Sequence, residues 1–346
     1  TYLRTHRELL NLMKWALAGA IVSAGIAVME FGTGTLMASV LSPLIPANAE
    51  WLRTAQAQKI PDGVFRAQAN HTHPLSLGEF LAMCAPFAVG FAIAAKRGFP
   101  RAFWAAAFLL IVAGSLATSS RAALLSLIVA LGAMGAILLH RAQQRPRLAR
   151  FRPMIGLAAC AVILVSPVMA VGAMALIGGS GGQSASNSTE ARVEQIKQAW
   201  PKILKRPVLG YGVGRAARIL GFWGRGLTID NYYLSLALEL GLLGPLVFLS
   251  IFIGLAVVAG KRSARGDPEI RYLYMAFVAS AVSLLVTRSV ISLTGNLGVI
   301  FVLLGAFAGA GVRDAAARRR QPALAAADEV DEIPRHEPGR AIAKYV

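Results

Sequence analysis

Two groups of residues in this sequence have types and spacing suited to chemistry. One is an acid and an amide side by side, Asp230 and Asn231, in the stretch TIDNYYLSLALELGLLG from Thr228 to Gly244, at the mouth of a hydrophobic segment. The other lies just before it: from Gly178 to Ile229 there are eight Lys and Arg, Arg192 through Arg225, against only Glu190 and Glu194, a net charge of +6. Such a surface suits an anion. Arginine suits phosphate in particular, because its planar fork binds oxygens in pairs and never loses its charge. An aspartate at its edge can accept a proton, orient a hydroxyl through hydrogen bonds, or cap a helix beginning at Asn231. On sequence alone these three roles for Asp230 stay open.

The elements that must position these groups are membrane helices. Hydrophobic residues make up 56% of 346, charged residues 15%, and the mean hydropathy is +0.58, more apolar surface than a soluble core of this size needs. About 20 apolar residues cross a bilayer as a helix, and about eight such runs occur, near 12–31, 76–95, 102–118, 122–139, 154–177, 231–259, 272–291 and 295–312. The sixth is too long for one straight span. Gly241, Gly244 and Pro245 interrupt it, so a short outer helix is expected before the spanning one.

With the N-terminus inside, the inner segments carry 22 of the 35 Lys and Arg residues, which places both termini in the cytoplasm. The fold expected is an all-α, polytopic membrane domain over 1–312 with a periplasmic helical loop at about 178–229. The tail from 313 to 346, rich in Ala, Arg and acids, reads as disordered and cytoplasmic, its RRR cluster anchoring the last span to anionic lipid. A sequence pI of 10.9 suggests nucleic acid, but the charge is distributed as topology requires, so none is expected as a partner. Cys84 and Cys160 fall inside spans and imply neither disulfide nor metal. His71 and His73 lack a third ligand at metal spacing. The chain opens at Thr1 without a charged leader and reads as a fragment lacking upstream sequence.

Within the outer loop, GGSGGQSASNS reads as flexible, followed by a helix with Ser188 or Thr189 as N-cap. Val193, Ile196, Trp200, Ile203 and Leu204 fall on one face of it, and Pro201 is expected to kink or end it. Lying apolar side down on the membrane, such a helix holds Arg192 and Lys197 at headgroup level.

Three stretches together resemble the O-antigen ligase and polymerase family of membrane glycosyltransferases. They are TSSRAALLSL, with Arg121 at the outer head of a span; EARVEQIKQAWPKILKRPVLGYGVG, similar to the family's outer loop; and IDNYYLSLALELGLLGPLVF, where many members carry His-Asn and then Glu-Leu-Gly. FRAQANHTHPLSLGEFLAMCAPF is similar to an earlier outer loop leading into a span. The resemblance covers about 60–312, and full-length members usually have several more N-terminal spans.

What the resemblance implies is a metal-independent transferase without cofactor in the bacterial inner membrane, its site facing the periplasm. Its donor would be a glycan on polyprenyl pyrophosphate and its acceptor a saccharide or lipid-linked glycan hydroxyl, with membrane lipids around it. Arg121 and Arg192, with Arg288, are candidates to neutralise pyrophosphate, and Arg206 and Arg215 flank a glycine turn whose amides could approach phosphate. Asp230 stands where ligases carry His, which favours a polymerase of exopolysaccharide or O-antigen repeat units over ligation to lipid A core. Asn231, Tyr232, His73 and Glu239 complete the expected substrate-binding set, His73 as substitute base or donor to sugar hydroxyls. A glycolipid transporter is the rival class, but it would place charges within mid-membrane spans.

Overall fold

The computed structural model describes residues 6–40, 65–143, 182–222, 229–263, 268–292 and 296–310, and every regular element among them is a helix. In chain order these are α1 His6–Thr33, α2 Met37–Val40, α3 Pro74–Ala94, α4 Phe99–Ala117, α5 Arg121–Gln143, α6 Gly182–Lys205, α7 Ala216–Ile219, α8 Tyr232–Leu240, α9 Leu243–Arg262, α10 Pro268–Thr287 and α11 Leu297–Ala310. Six of them, α1, α3, α4, α5, α9 and α10, are long and apolar enough to cross a membrane, and α11 is a shorter apolar helix. The apolar run at 154–177 and the tail at 313–346 lie outside the described residues.

Burial follows composition. α3 and α10 form the centre: α3 packs against α4, α5 and α10, while α10 also touches α5 and α9. Being surrounded, α3 is apolar around its whole circumference, as a buried helix must be. α1 buries only a stripe, Leu9, Met13, Leu17, Ala20, Ala24 and Ala27, against α4 and α3. Small residues set the spacing: a side chain at Gly78 would stand 2.1 Å from the Ala123 Cβ, so α3 and α5 meet nearly backbone to backbone. Hydroxyl groups supply cross-links, with Ser283 Oγ donating to Ser126 O and Ser280 Oγ donating to Met83 O, both at 2.6 Å.

The expected break in the sixth apolar run is present. α8 ends at Gly241, whose φ of 67° closes a short helix before α9 begins. The segment ahead of α8 departs from expectation in two respects. α6 starts at Gly182, inside the stretch read as flexible, so neither Ser188 nor Thr189 is its N-cap. It also runs through Pro201 to Lys205, because Ala199 and Ile203 on either side are buried, at 0% and 1% exposure, and their packing outweighs one lost backbone bond. The apolar face divides accordingly: Ile203 turns with Ala199 and Gln195 toward α7 and α8, whereas Val193, Ile196, Trp200 and Leu204 stay exposed.

Candidate functional site

The short segment leading into α8 is gripped from two sides. Asn231 is the N-cap of α8, its Oδ1 accepting the Leu234 N–H at 3.1 Å. The helix therefore begins one residue later than the sequence suggests, and capping no longer accounts for Asp230. Instead the Asp230 N–H donates to Gln195 Oε1 at 3.0 Å, and its Oδ2 lies 3.6 Å from Arg192 Nε. Arg192 and Gln195 are three apart on α6 and share a face, so one helix holds both the backbone and the carboxylate of Asp230.

The ion pair is longer than a hydrogen bond, and its side chains are 32% and 34% exposed. Exposed pairs of this kind contribute roughly 0.2–1 kcal/mol. The contact thus adds little to folding and leaves an acid and a guanidinium side by side, open to a substrate.

On the opposite side, the end of α10 holds the same segment. The Tyr232 N–H donates to Arg288 O at 3.0 Å, Tyr233 OH donates to Leu285 O at 2.6 Å, and Ser292 Oγ donates to Ile229 O. Arg288 itself is fully buried. Its Nη2 donates to Glu79 Oε2 at 2.9 Å, and Asn296 Nδ2 donates to the same oxygen at 2.9 Å and to Ser76 O at 2.7 Å. The guanidinium carbon sits 5.2 Å from the Tyr232 ring centre. The sequence places Arg288 among substrate-binding residues; the structure puts it beneath the site, locking α3, α10 and the start of α11 to α8. Burial pushes the Tyr232 phenol above its ordinary value, with Arg288 opposing and Glu239 reinforcing the shift. Glu239, seven residues on, shares the Tyr232 face of α8.

The glycine turn flanked by Arg206 and Arg215 serves another purpose than the one expected. Tyr211 N–H donates to Leu238 O and Gly212 N–H to Glu239 O, both at 2.8 Å, while Leu242 N–H donates to Pro207 O at 2.7 Å. Two of the turn's amides, those of Tyr211 and Gly212, are thus taken up by open carbonyls at the end of α8. Gly210, with φ 60°, makes this approach possible: a Cβ there would lie 2.5 Å from Gly241 N. Arg206 lies over the Tyr211 ring at 5.1 Å, and Arg215 is exposed at the start of α7.

The remaining candidates gather on the loop ahead of α3. His73 is the N-cap of α3, its Nδ1 accepting the Leu75 N–H at 3.1 Å, so that nitrogen is committed to the cap. His71 packs on Phe80 and is held below its ordinary pKa by burial. Glu30, at the end of α1 and 1% exposed, accepts the amides of Met37, Gln68 and Ala69 at 2.8–2.9 Å and so fastens the loop. Arg121 is exposed at the head of α5, with Arg66 as its charged neighbour.

Sequence reasoning missed Gln195, Asn296 and Arg66. For Gln195 a signal existed, since it lies one turn beyond Arg192; for the other two none did.

A family model described as O-Antigen ligase matches residues 106–249, from within α4 to within α9. The matched stretch contains Arg121, Arg192 and Asp230. No curated protein matches the chain.

Proposed function

We propose that this chain, a member of the O-antigen ligase family through residues 106–249, is a periplasm-facing transferase. It moves a glycan from polyprenyl pyrophosphate to a saccharide hydroxyl in the bacterial inner membrane. The observation that carries this reading is the meeting of Arg192 and Asp230, drawn from two separate motifs, in a half-exposed contact of 3.6 Å.

In the reaction the acceptor oxygen bonds to the anomeric carbon as the bond from that carbon to pyrophosphate breaks, and polyprenyl pyrophosphate departs. Arg192 and Arg121 neutralise the charge developing on the leaving group, an effect worth roughly 3–4 kcal/mol per donor at a partly dewatered site. Asp230 receives the acceptor proton or orients the hydroxyl. Arg288 and Glu79 position α8, and α6 rests on the membrane through Val193, Ile196, Trp200 and Leu204.

The acid in place of the ligase His favours chain polymerisation. Ligation to lipid A core is the second reading, favoured by the description of the matching family model. The test is chain extension in membranes supplied with purified lipid-linked repeat unit, compared at matched protein level. Asp230→Asn is expected to lose roughly 100-fold if the residue is a base. Arg192→Lys is expected to fail nearly as badly as Arg192→Ala, because a point charge lacks the bidentate fork. Full activity in both Asp230→Asn and Arg192→Lys would end this assignment, and transfer to lipid A core without polymer would favour ligation.

A further inference from the structure

At the end of the bundle away from Asp230, α5, α9 and α10 enclose a cavity of about 510 Å³, lined by Ala136, Ile137, Met275 and Val278 in its depth and by Arg141 and Ser263 at the helix ends. That volume is the size of a ligand pocket, roughly 300–1,000 Å³. α5 and α9 each pack on α10. Arg141 braces them across the opening, its Nη2 donating to Gly260 O at 3.1 Å and to Ser263 Oγ at 2.6 Å. Both acceptors are uncharged and use two of the five guanidinium N–H groups. They fix the cation in place without neutralising it.

A second guanidinium belongs to the same opening. Arg271, Met275 and Val278 follow the i, i+4, i+7 spacing of one helix face, so Arg271 lies one turn from Met275 toward the start of α10. Its Nε is shielded from solvent and has no hydrogen-bond partner among the described residues. α9 ends at this level with Lys261 and Arg262 in its last turn. Glu269, the acid in the first turn of α10, is exposed; two residues from Arg271, it falls on another face. From Arg271 to Val278 the wall descends about 10 Å and changes from cationic to apolar. A charged head over an apolar stem matches a phospholipid, whereas a soluble anion would leave the depth of the cavity unfilled.

We infer that this cavity binds an anionic phospholipid, its phosphate between Arg141 and Arg271 and one acyl chain along Ile137, Met275 and Val278. The phosphate accepts charge-assisted hydrogen bonds from both arginines, and the chain fills the space between α5 and α9 that Arg141 alone spans. The site requires that α5, α9 and α10 cross a membrane; it does not rest on the transferase reading.

The test is native mass spectrometry of the purified full chain equilibrated with equal amounts of phosphatidylglycerol and phosphatidylcholine, counting the lipids retained. Wild type should prefer phosphatidylglycerol. Arg271→Gln and Arg141→Gln should each cut that preference about fivefold, the scale of one basic residue at an anionic surface. Arg97→Gln, in the exposed turn after α3 at the same end of the bundle, removes an equal charge away from the cavity and should change the preference far less. Equal losses in all three would reduce the effect to diffuse attraction and overturn the site. Val278→Phe fills the apolar depth with every charge in place and should lower phosphatidylglycerol retention; unchanged retention would mean that no acyl chain enters, and would overturn the proposal as well. Because Arg141→Gln also removes the brace, Arg271→Gln is the cleaner variant for stability. In phosphatidylcholine nanodiscs it should unfold at the wild-type temperature, and it should lack the rise that phosphatidylglycerol gives wild type. A lower temperature in phosphatidylcholine alone would make Arg271 a structural residue and end the assignment. None of these readouts uses sugar transfer, so they stand or fall apart from the transferase reading.

Discussion

Arg288 and Glu79 lie 2.9 Å apart with side chains 0% and 2% exposed, and they join the end of α10 to α3 across 209 residues of sequence. Removing one member leaves a charge uncompensated in the interior, at a cost of about 3–5 kcal/mol. Arg288→Met should therefore lower the unfolding temperature in detergent sharply, and Glu79→Gln should lower it as well. The double variant Glu79→Leu with Arg288→Met is expected to recover much of the loss, since neither charge then remains buried. If Arg288→Met unfolded like wild type but lost donor binding, Arg288 would be a substrate ligand after all.

The division of labour between Asp230 and Asn231 separates stability from activity. Asn231→Ala removes the cap of α8 and should cost roughly 0.5–2 kcal/mol, whereas Asp230→Ala should leave the unfolding temperature nearly unchanged. Thermal unfolding of the two variants side by side checks this, and equal losses would return a structural role to Asp230.

Gly210→Ala should be severe for its size. The residue has φ 60°, and a Cβ would lie 2.5–2.6 Å from the backbone of Gly241 and Glu239. The turn cannot yield without releasing Tyr211 and Gly212 from the end of α8. Limited proteolysis in the 206–215 region should become faster, by tenfold or more, while a substitution at the exposed Gly214, whose surroundings are open but whose φ is 75°, should do less.

Labelling can place α6. Gln198 is exposed on its polar side and Leu204 on its apolar side. With the native cysteines replaced, a cysteine at 198 should react with a membrane-impermeant reagent from the periplasmic side, and a spin label at 204 should be more accessible to oxygen than to a water-soluble nickel chelate. Reaction of position 198 from the cytoplasm alone would invert the topology.

Much of the bundle was legible because apolar length dictates a membrane helix, and the broken sixth run was legible because Gly241 stands where the pattern stops. The site was legible only in part. Arg192 and Asp230 were chosen from separate motifs and meet, since motif order carries information about spatial neighbours. The burial of Arg288 was not legible because an arginine near a span end looks the same in sequence whether it reaches solvent or a buried acid; its partner is Glu79, 209 residues away. The packing of the glycine turn on α8 was not legible because glycines that admit a phosphate and glycines that admit another backbone have identical local patterns. The start of α6 was missed because Gly and Ser weigh against helix locally, yet the helix extends back to Gly182.

The nine residues of α8 act as a gauge block. Its entrance is registered against Arg192 and Gln195, and its exit against the turn at Tyr211 and Gly212. Both fittings belong to one continuous stretch of chain, α6 and the turn after it. A single residue inserted between Leu234 and Leu238 would rotate one end against the other by about 100° and lengthen the gauge by about 1.5 Å, so only one fitting could stay seated. Chain length is therefore fixed between 230 and 241.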